Sequence, residues 1–106
     1  MSRIRLVRTT FGNADEAARI ARAMIEDRLA ACASLSAVHS IYRWQGKVEA
    51  DDETAVLFKT TPDRAAALSA AIDAQHSYDQ PVIEAWEADV DPAVADWVYA
   101  ETAKVS

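Results

Sequence analysis

One cysteine, two glycines and three prolines in 106 residues are few enough that each scarcity closes off a class of chemistry. With Cys32 alone there is no intrachain disulfide and no multi-cysteine metal motif. A lone cysteine reads first as a small buried hydrophobe, with soft-metal ligation or redox sensitivity as the sharper alternative. Two glycines cannot build a Gly-rich loop around a phosphate, and no GxSxG elbow is present. No Ser-His-Asp or Cys-His arrangement follows from local signatures, so the chain does not read as an enzyme. No apolar run approaches the length of a membrane span. Clustered basic residues are missing too. Eleven Lys and Arg against seventeen Asp and Glu give a net charge of −6, interspersed along the chain. That balance argues against nucleic acid or a membrane surface as partner.

What is present is ordinary for a globular protein: 51% of the residues are hydrophobic. The length fits one domain over residues 1–106. A monomer of this size buries only about two-thirds of the surface its unfolded chain exposes, so oligomerisation would add useful burial. The N-terminus runs directly into Ile4-Arg5-Leu6-Val7 with no apolar signal core, which reads as cytoplasmic.

Residues Arg3 to Thr10 suit a strand. Asn13 stands three residues before Glu16, a capping-box pattern, and Ala17, Ile20, Ala21, Met24, Ile25 and Leu29 continue at helical spacing to about Ala30 or Ala31. Cys32 to Trp44 and Lys47 to Thr60 read as two long strands joined at Gln45-Gly46, where glycine supplies a positive φ. Asp51-Asp52-Glu53 predicts a bulge or an exit from the sheet, because alternation sends consecutive charges to both faces. Thr61-Pro62 starts a second helix ending near Gln75. A loop from His76 to Pro81 leads to a strand from Val82 to Val90, and Asp91-Pro92 opens a last helix.

The order is β-α-β-β-α-β followed by α. It predicts an α+β, ferredoxin-like βαββαβ sandwich with an additional C-terminal helix and a long β2–β3 hairpin. Two helices cover only one sheet face, so another subunit or a ligand is expected on the other. Tyr42 and Trp44, two apart, share a strand face and read as anchors of a subunit interface.

Arg8-Thr9-Thr10-Phe11, Leu29-Ala30-Ala31-Cys32, Ser40 to Lys47, Lys59-Thr60-Thr61 and His76-x-Tyr78-x-x-Pro81 occur in an order and spacing that resembles the CutA family of divalent-cation tolerance proteins. The resemblance covers nearly the whole chain. It implies a ferredoxin-like homotrimer whose hairpins enter intersubunit sheets, and a link to copper and other divalent ions. It also marks His76 as the loop histidine associated with copper. The chain departs from the family at Gly12, Ser34 and Ser77, and most of all at Val82, where the family places Glu. Glu84, on the same face of a regular strand, is the candidate replacement.

The residues taken alone carry no HxxH, CxxC or HExxH spacing. A hydrogen-bonded structural role for His76 therefore competes with metal ligation, and His39 reads as an ordinary strand residue. Two functions stand side by side. One is a small trimeric protein of divalent-ion tolerance that binds copper or another divalent metal weakly through His76 and Glu84, with no organic cofactor. The other is a regulatory or scaffold module resembling PII-like proteins. It would hold a small ligand or protein partner between subunits, in a cleft lined by Thr9, Thr10, Lys59, His76 and Tyr78.

Overall fold

Both sheet faces can be traced from β1 (Ser2–Phe11), whose Ile4 and Leu6 lie on one side and whose Val7 and Phe11 lie on the other. The computed structural model describes residues 1–104. After β1 come α1 (Ala14–Glu26), β2 (Cys32–Trp44), β3 (Lys47–Thr60), α2 (Pro62–Gln75), β4 (Ile83–Val90) and α3 (Pro92–Glu101). The sheet order is β2-β3-β1-β4, with every neighbouring pair antiparallel. This is the expected ferredoxin-like topology.

Val7 and Phe11 of β1 join Val56 and Phe58 of β3 under Ala17, Ile20 and Met24 of α1 and Leu68 and Ile72 of α2. All are buried, and burial of this kind is the main favourable term in folding. Ile4 points the other way and packs with Ala95 and Val98 of α3. The third helix thus covers one end of the face that α1 and α2 leave open. Its C-terminal carbonyls are tethered from the other layer. Arg28 donates to Glu101 O at 3.2 Å and Arg64 to Thr102 O at 2.9 Å. Both cations also oppose the negative end of the helix dipole, which no basic residue in the last turn of α3 does.

Three local expectations change. α1 stops at Glu26 rather than near Ala30, because Arg28 takes φ +61°. Leu29 N–H then returns to Met24 O at 2.9 Å and Arg28 N–H to Ile25 O at 3.1 Å, a Schellman closure without glycine. The apolar stripe continues past this stop because Leu29 still packs on the same core.

Asp51, Asp52 and Glu53 neither bulge nor leave the ladder; they pair in register with Ser40, His39 and Val38. The reason is that β1 pairs β3 only from Thr54 to Thr60. Beyond that point β2 and β3 form a two-stranded ribbon that no other element of the chain covers on either face, so alternating charges meet no burial penalty within the chain. Its tip is tight: Trp44 pairs with Lys47, and Gln45 and Gly46 both take positive φ (49° and 81°) as a two-residue primed turn requires. The Cα radius of gyration, 14.5 Å, exceeds the roughly 13 Å of a compact chain this long, in keeping with a protruding ribbon.

The capping box forms only by half. Asn13 Oδ1 accepts from Asp15 N–H and Glu16 N–H at 2.8 and 3.0 Å, but the Glu16 carboxylate reaches residue 77 instead of turning back. Asn13→Ala should therefore cost about 1 kcal/mol of stability. Denaturant melts at fixed protein concentration check this, and an unchanged midpoint would mean that the cap contributes nothing.

Candidate functional site

His76 is the residue after α2, and its backbone N–H still bonds Ile72 O at 2.9 Å. Its ring stacks on Phe11, with centroids 4.3 Å apart and planes 10° from parallel. Nε2 lies 2.8 Å from Thr10 O, and a carbonyl only accepts, so Nε2 carries the proton. Nδ1 then accepts from the Tyr78 N–H at 3.1 Å. Both nitrogens are engaged, and the tautomer follows from that network.

The neighbours of His76 bind the same loop to two more elements. Ser77 N–H and Oγ donate to the two oxygens of Glu16 at 3.0 and 2.9 Å. The Tyr78 hydroxyl donates to Glu53 at 2.8 Å, at the base of the ribbon. Gly12 makes room for it, since a Cβ there would lie 2.9 Å from the phenol oxygen. Two residues further along β3 the Tyr42 hydroxyl donates to Asp51. That hydrogen bond, desolvation and the Asp51, Glu49 and Glu53 charges push the Tyr42 phenol up to about 12. Tyr78 is raised further still, first by desolvation and then by its bond to Glu53.

The other expected site residues divide between the two sheet faces. Thr9 lies under the helices, 1% exposed, and its hydroxyl has no partner. Thr10, the next residue, points to the open face. Lys59 shares that face and donates to Cys32 Sγ at 3.9 Å, with Ser34 Oγ also 3.9 Å from the sulfur. Cys32 is half-buried there rather than fully enclosed. Glu84 pairs with its cross-strand neighbour Arg8 at 3.2 Å. His39 Nδ1 lies 2.8 Å from Asp52 Oδ1 on the ribbon.

The expected metal pair is therefore not assembled within the chain. Glu84 meets Arg8 on the open face, while His76 lies against Phe11 of the helix-bearing face. Among the described residues, no three His, Cys, Asp or Glu side chains converge on one point. This donor set does not fit a resident metal. Thr10, Lys59 and Tyr78 remain on the accessible side of the sheet, and Thr9 is separated from them by it. Glu16 reads in the sequence only as part of a helix cap and Glu53 only as part of an acidic run, and neither reading shows that they hold the His76 loop. A strand alternation carried straight through the acidic run would have placed Glu53 on the face of Ala55 and Leu57.

A split βαβ sandwich extended by a free two-stranded ribbon defines a small α+β protein of the ferredoxin-like class. A family model described as CutA1 divalent ion tolerance protein matches residues 5–101. The divalent-cation tolerance protein CutA of Thermus thermophilus is 37% identical over 99 residues, 92% of this chain and 96% of that one. Its counterpart in Pyrococcus horikoshii is 34% identical over 100 residues, covering 93% and 98%. The crystal structure of the divalent ion tolerance protein CutA1 from Ehrlichia chaffeensis superposes with a TM-score of 0.91 at 32% identity, over 98% of this chain and 99% of that one. This chain belongs to the CutA family of divalent-cation tolerance proteins. No helix among the described residues is long and apolar enough to cross a membrane.

The raised phenols carry a pH signature. Both bind their proton more tightly folded than unfolded, where the ordinary value is 10.0. Their contribution to stability is complete below about pH 10 and is lost as pH rises through the folded values. At about pH 11, Tyr42 and Tyr78 should still be largely un-ionised, and Glu53→Gln should let Tyr78 ionise earlier. Tyrosinate absorbance of wild type against Tyr42→Phe, Tyr78→Phe and Glu53→Gln tests this. Ionisation of every tyrosine at the ordinary value would contradict the geometry.

Proposed function

We propose that this chain acts in divalent-cation tolerance as a non-catalytic, cytoplasmic homotrimer, one domain per subunit, assembled through the β2–β3 ribbon. The observation that carries the reading is the ribbon itself. Ile41 and Val48 are 70% and 65% exposed on one side, and Tyr42 and Trp44 are 40% and 50% exposed on the other. β2 is also an edge strand of 13 residues, with a row of unpaired backbone groups. Such an edge is normally short, charged or covered. Trp86 adds a further exposed aromatic on the open sheet face.

Copper, or another divalent ion, is in this reading a weakly held ligand rather than a resident one. His76 would offer Nδ1 only by giving up the Tyr78 N–H, a loss on the order of 1 kcal/mol. Glu84 would have to leave Arg8, and the remaining donors would come from another subunit. The engagement of both His76 nitrogens favours a second reading. In it the assembly is a PII-like scaffold that binds a small ligand or protein between subunits, against Thr10, Lys59 and Tyr78.

Native mass spectrometry with and without Cu(II) or Zn(II) should give a trimer mass with weak, substoichiometric metal. A stable monomer at low micromolar concentration would sink the assembly reading. Trp44→Ala should weaken the trimer far more than Trp97→Ala, by several kcal/mol if Trp44 is fully buried between subunits. Equal dissociation of the two variants would contradict the ribbon interface. Calorimetric titration of His76→Ala with Cu(II) separates the two functions. Lost binding with an intact trimer supports metal contact, and unchanged binding favours the scaffold.

A further inference from the structure

The ladder between β1 and β3 ends where Phe11 faces Thr54. Glu53 is therefore the first residue of the free ribbon, paired with Val38 of β2 and unpaired on the β1 side. Past Thr54 the backbone ladder joins the ribbon only to itself. Among the described residues, one side-chain hydrogen bond crosses from the body to this part of the chain: the Tyr78 hydroxyl donates to Glu53 at 2.8 Å. The bonds of His39 with Asp52, Tyr42 with Asp51 and Arg43 with Gly46 O all stay within the ribbon.

The donor of the crossing bond is anchored. The Tyr78 N–H is held by His76 Nδ1, His76 by Thr10 O, and Ser77 by Glu16 of α1. The Tyr78 ring also lies against that of His76, with centroids 4.8 Å apart. Its phenol oxygen occupies space that only a missing side chain leaves open, since a Cβ on Gly12 would stand 2.9 Å from it. Gly12 does not take a positive φ, so room is what the glycine supplies here. Gly12 directly follows Phe11, so the loop, the end of β1 and the root of the ribbon meet at one place. A ribbon free to swing about that root would lose conformational freedom on docking, and one held in place would not.

We propose that the Tyr78–Glu53 bond is a hinge latch, which fixes the angle at which the ribbon leaves the body and so presents it ready for assembly. Tyr78 acts through Glu53, as a positioning residue. The inference rests on the ribbon-mediated assembly proposed above and adds what sets the ribbon's direction. It also makes that direction depend on the His76 loop, because the latch holds only while the loop is clipped to β1 and α1.

Subunit exchange between ordinary and isotopically heavy protein, followed by native mass spectrometry of the full chain, provides the test. Tyr78→Phe keeps the ring and removes only the donor. It should speed exchange about tenfold, in keeping with one hydrogen bond to a charged group. Glu53→Ala should do the same, and the double variant should exchange no faster than either single one. Gly12→Ala should displace the hydroxyl and match Tyr78→Phe, yet add little in a Tyr78→Phe background. Hydrogen exchange separates a latch from general weakening of the body. Outer-ribbon amides from Ser40 to Ala50 should lose protection in Tyr78→Phe while those of Val7 and Phe58 keep theirs. A monomeric wild type would overturn the assembly on which the latch rests. In a trimer, unchanged subunit exchange in Tyr78→Phe, additive effects of Tyr78→Phe and Glu53→Ala, or an equal loss of core protection would each overturn the latch alone.

Discussion

The ladder between β2 and β3 is the constraint on which the rest of this molecule depends. Every residue from Cys32 to Trp44 has a partner in β3, from Lys59 at the base to Lys47 at the tip. Only the inner half of β3 is also paired with β1 and roofed by helices. The inner half therefore contributes Val56 and Phe58 to the core, while the outer half has no core of its own. An isolated two-stranded ribbon is marginal in water. Apolar residues on both faces of this ribbon supply what an interface needs, and the ferredoxin-like body supplies the rigid base from which it projects.

A second constraint lies at that base. The loop from His76 to Pro81 is clipped to β1 by the imidazole, to α1 through Ser77 and Glu16, and to β3 through Tyr78 and Glu53. These contacts converge from three elements distant in sequence, so the loop reports the correct closure of the sandwich. They also set the chemistry. A histidine stacked on Phe11 with both nitrogens bonded is a brace, and ion binding must compete with its bracing bonds. The Arg8–Glu84 pair constrains the other candidate ligand in the same way, although an exposed ion pair of this type is worth little by itself.

Much of the fold was legible because local and long-range signals agree. Period-3.6 stripes marked α1, Gln45-Gly46 marked the ribbon tip, and Pro62 and Pro92 marked the starts of α2 and α3. The errors arose where tertiary context overrode a local rule. The stop of α1 carries no glycine, since Arg28 adopts the left-handed conformation itself. The acidic run looked incompatible with a strand only on the assumption that one face was buried. The site was less legible than the fold. Whether His76 is free or braced depends on Thr10 O and the Tyr78 N–H, and backbone groups leave no trace in residue identity. The separation of Thr9 from Thr10 follows from strand alternation, but only once the covered face is known.

The central claim is that the ribbon from Val38 to Glu53 is supported by neighbouring copies of the chain. Hydrogen exchange at its amides tests that claim most directly. In an assembled protein the outer-ribbon amides, from Ser40 to Ala50, should exchange nearly as slowly as those of Val7 and Phe58 in the core. Protection should fall as dilution dissociates the assembly. Fast exchange of the outer ribbon at every concentration, beside a protected core, would contradict the account.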